Sequence, residues 1–166
     1  MDVTVRQLGG HEWSSLRALR LRALTDSPPS FASTFDEEVQ FDEAAWRREL
    51  VAGDWCAAVA AEAAPVPMAV ALMGVAPTDR HGCDCWIHGC WVDPRFRRQG
   101  LTRRMVDWLD GLSKERGWLR QGLGVWPDNT EAIATWERLG FSIHGAPLPS
   151  RRRPGKTYVA MLRDVP

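Results

Sequence analysis

Apolar and polar positions change period along the chain, from two to about three and a half and back, which divides it into strands and helices. Val3-Thr4-Val5-Arg6 alternates as a short strand. A Leu- and Arg-rich helix is predicted from Glu12 to Leu24, stopping before Ser27-Pro28-Pro29, with a loop or broken helix to Glu38. Asp42 stands where it can N-cap a second helix through Ala44, Trp46 and Leu50 to a stop at Gly53. Trp55–Ala61 and Met68–Ala76 read as paired strands around a proline-containing turn, Thr78–Gly82 as their exit loop, and Trp86–Val92 as the next strand. From Gln99 to about Glu115, Leu101, Met105, Trp108, Leu109 and Leu112 share one helical stripe, and Gly117 stops it. A strand over Leu119–Trp126 follows, then a helix capped by Asp128 and ended by Gly140. The last strands are Phe141–His144 and Tyr158–Leu162, joined by a connection at 146–155. Strands and helices alternate mainly in the second half, which predicts an α/β (α+β) fold with a mixed sheet and helices on both faces.

Composition narrows the function classes. A chain of 166 residues suits one domain, here 1–166, with a real core. The formal net charge of +0 gives no global field for nucleic acid or an anionic membrane. Residues 57–76 are apolar enough to raise a membrane span, but Glu62, Pro65 and Pro67 argue against it. The N-terminus lacks the layout of a secretory signal, so a cytoplasmic protein is expected. Cys83, Cys85 and Cys90 with His81 and His88 suggest zinc, yet the spacing is not that of a zinc motif. On a regular strand Cys83 and Cys85 face one side and His88 and Cys90 the other, so without a bulge they cannot converge. No metal is expected, and the cysteines read as small packing residues.

The most informative stretch is Trp91 to Thr102, WVDPRFRRQGLT. It reads as a strand end, a proline turn and a basic loop that becomes a helix at a glycine. Such a junction aims free backbone N–H groups and the positive helix end at one spot, where phosphate binds readily. Arg97 and Arg98 add charge there.

The segment Arg97-Arg98-Gln99-Gly100-Leu101-Thr102 resembles the R/Q-x-x-G-x-G/A pyrophosphate loop of the GNAT superfamily of N-acetyltransferases. Cys90-Trp91-Val92-Asp93-Pro94 is similar to the strand and proline preceding that loop. Asn129 to Phe141 resembles the family's N-x-x-A-x-x-x-Y-x-x-x-G-F segment, and Leu21-Arg22-Ala23-Leu24 followed by Ser27-Pro28-Pro29-Ser30-Phe31 resembles the start of many such domains. Together these matches span nearly the whole chain. The resemblance implies a twisted sheet of about seven strands with a splayed pair holding the cofactor. Two positions depart from the family pattern. Thr102 replaces Gly or Ala, and either crowds the phosphate or donates to it. Trp136 replaces the tyrosine that protonates the departing thiolate, and an indole N–H has no acid pKa to do so.

The resemblance further implies acetyl-CoA as co-substrate and an amine acceptor as the other partner, in a monomer or homodimer. Backbone amides from Arg98 to Arg103, including those of Gln99, Gly100, Leu101 and Thr102, would hold the pyrophosphate. The pantetheine arm would lie along Cys90-Trp91-Val92 like an added strand, with Asn129 on the arm and Trp136 near the sulfur. Acyl transfer to an amine needs a proton acceptor and donors for the oxyanion. Alternation puts Asp84, Trp86, His88, Cys90 and Val92 on one face. His88 is the first candidate for base or water relay, and the resemblance adds to this, since some family members acting on small amines carry histidine in this part of the strand. Asp84 is the second, and a backbone N–H near Val92 would serve the oxyanion. Tyr158, the chain's single phenol, reads as packing, as does Cys90 rather than an acyl-enzyme nucleophile. At the acceptor end, Glu37 and Glu38 would attract a cationic amine, whereas Arg151 to Arg153 would suit an acidic substrate or the cofactor's 3′-phosphate. A solvated loop is the plain alternative for both. A small-molecule amine is favoured, with protein or peptide acetylation and a catalytically weak acyl-CoA-binding module as the alternatives.

Overall fold

The computed structural model describes residues 2–60 and 68–166. One sheet of seven strands runs in the order β1-β2-β3-β4-β5-β7-β6. The strands are β1 Val3–Gln7, β2 Asp54–Ala60, β3 Met68–Pro77, β4 Cys85–Val92, β5 Arg120–Val125, β6 Ser142–Pro149 and β7 Thr157–Asp164. The expected turn between β2 and β3 lies outside the described residues. All neighbours pair antiparallel except β4 and β5, which run parallel. That mixture is the expected fold class.

Helices cover both faces. On one, α4 (Leu101–Arg116) buries Leu101, Met105, Leu109 and Leu112, as its stripe predicts. Beside it α5 (Thr130–Arg138) sets Trp136 against Phe141, edge to face at 5.3 Å. On the other face α1 (Trp13–Asp26) and α3 (Glu43–Ala52) pack over β2, β3 and β4 around Leu16, Leu24, Trp46, Trp55 and Trp91. Asp42 caps α3 by accepting from the Ala45 amide at 2.8 Å, as predicted. The broken segment after α1 holds a short helix, α2 (Phe35–Glu38), closed by a reciprocal Thr34–Glu37 capping box.

Several boundaries differ from expectation for local reasons. Asn129, not Asp128, caps α5, its side-chain oxygen accepting from the Ala132 amide at 3.2 Å. Helix α4 begins at Leu101 rather than Gln99, because Arg98 and Gly100 both sit in the left-handed region, with φ of 63° and 76°. Strand β6 runs on to Pro149, past a register shift between His144 and Leu148. An edge strand tolerates its prolines, since one side needs no partner.

Strand β4 carries the main correction. Leu72 of β3 lies opposite Trp91, but Gly74 lies opposite His88, so Gly89 and Cys90 together face Met73. This is a β-bulge, with Gly89 at φ 60°. It breaks the simple alternation. Cys85, Ile87, Cys90 and Val92 face the α4 side, while Trp91 joins the cluster under α1 with Trp55, against which His88 packs. The expected single row of Asp84, Trp86, His88, Cys90 and Val92 therefore does not exist.

Asp84 lies just before this strand and clamps β4 to β5. Its carboxylate accepts from the amides of Leu119 at 2.7 Å and Arg120 at 2.9 Å, and its own amide donates to the Arg120 carbonyl at 2.8 Å. Removing that carboxylate leaves two strand-entry amides without a protein acceptor. Asp84→Ala should lower unfolding stability by about 1–2 kcal/mol, measured by denaturant titration. An unchanged midpoint would contradict the clamp.

Candidate active site

The parallel pair β4–β5 is short. Registers run Cys85↔Gln121, Trp86↔Gly122 and Ile87↔Leu123, and then the strands part. Between the parted ends lies a cavity of about 310 Å³. His88, Gly89 and Cys90 line it from β4, Gly124 and Val125 from β5, Asn129 and Trp136 from the α5 segment, and Ser27, Ser30 and Phe31 from the end of α1. The expected splayed pair is thus present as a physical gap.

At one end of the gap the chain turns into α4. Among the described residues, the amides of Arg98 through Arg103 donate to no protein acceptor, and the first intrahelical donor is Arg104, bonding the Gly100 carbonyl at 3.1 Å. The left-handed backbone at Arg98 and Gly100 folds this run into a concave loop of donors at a helix N-terminus. Gly100 is exposed and open around its Cα, so it is its φ, not crowding, that calls for glycine. Leu101 is buried beneath the loop, whereas Thr102 is half-buried and lines the cleft.

The arginines are used differently from expectation. Arg97 donates to the Val92 carbonyl at 3.0 Å, pairs with Asp26 and reaches the Ser27 hydroxyl at 3.3 Å. It ties the end of β4 to the end of α1, with its charge balanced by Asp26. Arg103 donates to the Arg138 carbonyl at 3.2 Å, at the C-terminal end of α5. Arg98 and Gln99 are exposed at the loop. Trp91 turns from the cleft floor towards α1, where its indole donates to Asp26 at 2.9 Å.

His88 is half-buried and stands edge-on to Trp55, with ring centroids 4.7 Å apart. Gly74 makes room for it. A Cβ there would lie 2.5 Å from the His88 ring carbon Cε1. Neither ring nitrogen bonds a protein group among the described residues. Burial, then the charges of Arg20 and Arg152, push its pKa down to about 4. The imidazole is therefore neutral at pH 7, with a lone pair free. Burial pushes the Cys90 thiol up to about 12, which leaves it an inert neutral group. Tyr158 is held elsewhere, its hydroxyl 3.2 Å from His81 Nε2 and its ring beside Trp86. Trp136 is 7% exposed and puts an indole, not a phenol, on the cleft wall.

The acceptor-side charges also differ from expectation. Glu37 is spent on the cap of α2, and Glu38 is buried in a two-pronged pair with Arg20 at 2.8–3.2 Å. Glu38 is thereby closed to a cation, whereas Glu37 stays exposed with its charge near Arg153 and Arg152. Sequence reasoning missed Arg20, because a lone arginine in an Arg-rich helix gives no signal. It also missed the bulge, for which Gly89 is the one available sign. The basic connection is fastened down: Arg152 donates to the Ser33 hydroxyl at 2.8 Å and Arg153 to the Ala32 carbonyl at 2.9 Å. Among the described residues, no group of three or more His, Cys, Asp or Glu could hold a metal, and no helix is long and apolar enough to cross a membrane.

Comparison with known proteins agrees with this architecture. The Acetyltransferase (GNAT) family profile matches residues 16–141. A search of curated proteins gave no match. Among solved structures, a GNAT-family acetyltransferase from Streptococcus pneumoniae superposes with a TM-score of 0.75 at 12% identity, over 99% of this chain and 100% of that one. Ard1 from Thermoplasma volcanium gives 0.71 at 23% identity, over 100% and 99%. The ribosomal-protein-S18-alanine N-acetyltransferase from Escherichia coli gives 0.68 at 17%, over 99% and 94%. With the family profile spanning most of its length and the splayed, loop-flanked cleft in place, the chain belongs to the GNAT acetyltransferase family.

Proposed function

We propose that this chain, as one cytoplasmic domain, is an N-acetyltransferase that moves acetyl from acetyl-CoA to a primary amine of a small molecule. Transfer is by direct attack within a ternary complex. The observation that carries the reading is the run of unpartnered amides from Arg98 to Arg103, at the mouth of the gap between β4 and β5. Six consecutive donors at a helix start suit a diphosphate, and the parted strand edge suits a peptide-like arm. The residues present therefore fit acetyl-CoA, which when bound supplies an activated thioester. Trp136, Asn129 and Cys90 would flank its arm.

The chain's own part is to bind, orient and accept a proton. His88 is unprotonated at working pH and borders the gap, which supports it as proton acceptor or relay for the amine. Its low basicity favours passing the proton on to solvent rather than keeping it. Asp84 is not proposed for this role, since both hydrogen bonds of its carboxylate belong to the β4–β5 clamp. The 150–155 segment is fastened onto Ala32 and Ser33, next in sequence to the cleft-lining Ser30 and Phe31, which supports a small acceptor over a broad protein surface. A second reading, an acyl-CoA-binding module with weak catalysis, is favoured by Trp136, because no phenol lines the cleft to protonate a departing thiolate.

Gly100→Glu should abolish acetyl-CoA binding by calorimetry, since it puts a carboxylate and a strained side chain among the phosphate donors. Unchanged affinity would refute the loop assignment. Thiol release with a panel of amines separates the two readings: tight acetyl-CoA binding without release above background favours the module. His88→Gln should cut turnover about 100-fold or more at pH 7, and less as pH rises and the amine deprotonates unaided. The wild-type contribution of His88 should persist as pH falls, disappearing only near its folded pKa of about 4, where the ring becomes protonated. A pH-independent loss would assign the residue a structural role.

A further inference from the structure

Behind two residues that line the cleft, Gly89 and Phe31, sits a buried cation with a donor to spare. Arg20 is 8% exposed, and its Nε and Nη2 are taken by Glu38. Its face lies 4.7 Å from the centre of the Phe31 ring. Its Nη1 is buried and bonds nothing. That nitrogen lies against Gly89, 3.3 Å from where a Cβ would stand. Gly89 and Phe31 both line the cleft. A buried guanidinium nitrogen without an acceptor is costly, so a partner is expected in the working complex.

The neighbours of Nη1 fix what that partner is beside. The Trp55 ring edge lies 2.9 Å from the Cβ position of Gly74 and 3.0 Å from that of Gly89, and the Gly74 position also touches His88. His88, Trp55 and Arg20 therefore converge over the bulge, on one face of β4. The charges that act on His88 are those of Arg20 and Arg152. Glu38 is matched by Arg20, while the exposed Glu37 lies close enough to Arg152 to feel its charge but forms no ion pair with it among the described residues, and Arg152 in turn is close enough to His88 to depress its pKa. A bare ammonium would find no free acceptor at Arg20, whereas a molecule that brings its own carboxylate would meet the unpartnered Nη1.

Resting on the acetyltransferase reading above, we infer that the acceptor is a small amine bearing a carboxylate one or two carbons away, with the carboxylate on Arg20 Nη1 and Arg152 and the amine at His88. His88 and Gly89 are adjacent on β4 and both meet the Trp55 ring edge, so an amine at His88 and an anion beside Gly89 would be close neighbours. A protein N-terminus has a peptide carbonyl where this site seeks a charge, so it is the poorer match.

The test uses the full chain with acetyl-CoA and matched acceptors: amino acids, their carboxamides, and the corresponding decarboxylated amines. Thiol release should give a kcat/KM for the acid about 10–100-fold above that for its amide. The gap should close to within about threefold in Arg152→Gln, and in the double variant Arg20→Met with Glu38→Leu, which replaces the buried pair by apolar groups rather than orphaning one charge. Because the double variant risks misfolding, its acetyl-CoA affinity is measured alongside. Amides and plain amines used as well as the acids, or a ratio unmoved by either change, would overturn the inference. If no amine releases thiol, the enzymatic reading fails separately. The carboxylate site is then judged by calorimetry in the presence of CoA, where an N-acetyl amino acid should bind tighter than its amide, and equal affinities would sink it.

Discussion

The whole arrangement depends on two parallel strands that stop pairing after three registers. Backbone donors and acceptors cannot be left dry without cost, so where β4 and β5 part, the exposed edges must meet either solvent or a ligand with peptide-like groups. The parting is held open from both sides. At the closed end, Asp84 fastens the strand starts. At the open end, Arg97 draws the end of β4 towards α1 through the Val92 carbonyl and Asp26, while α5 stands on the other side with Trp136 on the cleft wall.

The bulge at Gly89 and Cys90 converts this gap into a site with two distinct faces. It sends Cys90 and Val92 to the α4 side and keeps His88 with Trp55 under α1. The inserted residue also removes a side chain where Arg20 and Trp55 crowd in. Two glycines on neighbouring strands thus do one job: Gly74 makes space for an imidazole, and Gly89 makes space for a cation. Burial and that positive surrounding keep the imidazole neutral, the form in which it accepts a proton.

Much of the frame was legible because its signals are local. The apolar stripe of α4, the Asp42 cap and the glycine-ended basic loop each follow from short-range rules. The family resemblance supplied the splayed pair, and the parted registers of β4 and β5 agree with it. What escaped was set by contacts far apart in sequence. Strict alternation cannot foresee a bulge, so the face assignments of Cys90, Val92 and Trp91 inverted. Asp84 reads by alternation as a candidate base, but the amides that bond its Oδ2, those of Leu119 and Arg120, are distant in sequence. Glu38 looked like free negative charge because nothing in residues 30–40 reveals Arg20 one helix earlier. The two candidate caps of α5 are adjacent residues of similar propensity, and only the folded backbone sets Asn129 rather than Asp128 within reach of the Ala132 amide.

The claim at the centre is that the loop entering α4 grips a diphosphate through its main chain. Backbone amide spectra of the full chain, recorded by NMR while coenzyme A is added, test this directly. The account predicts that the amides of Arg98 to Arg103 shift together and gain protection from hydrogen exchange at saturation, with the Cys90–Val92 amides responding alongside. Coenzyme A binding with those amides unmoved would contradict it.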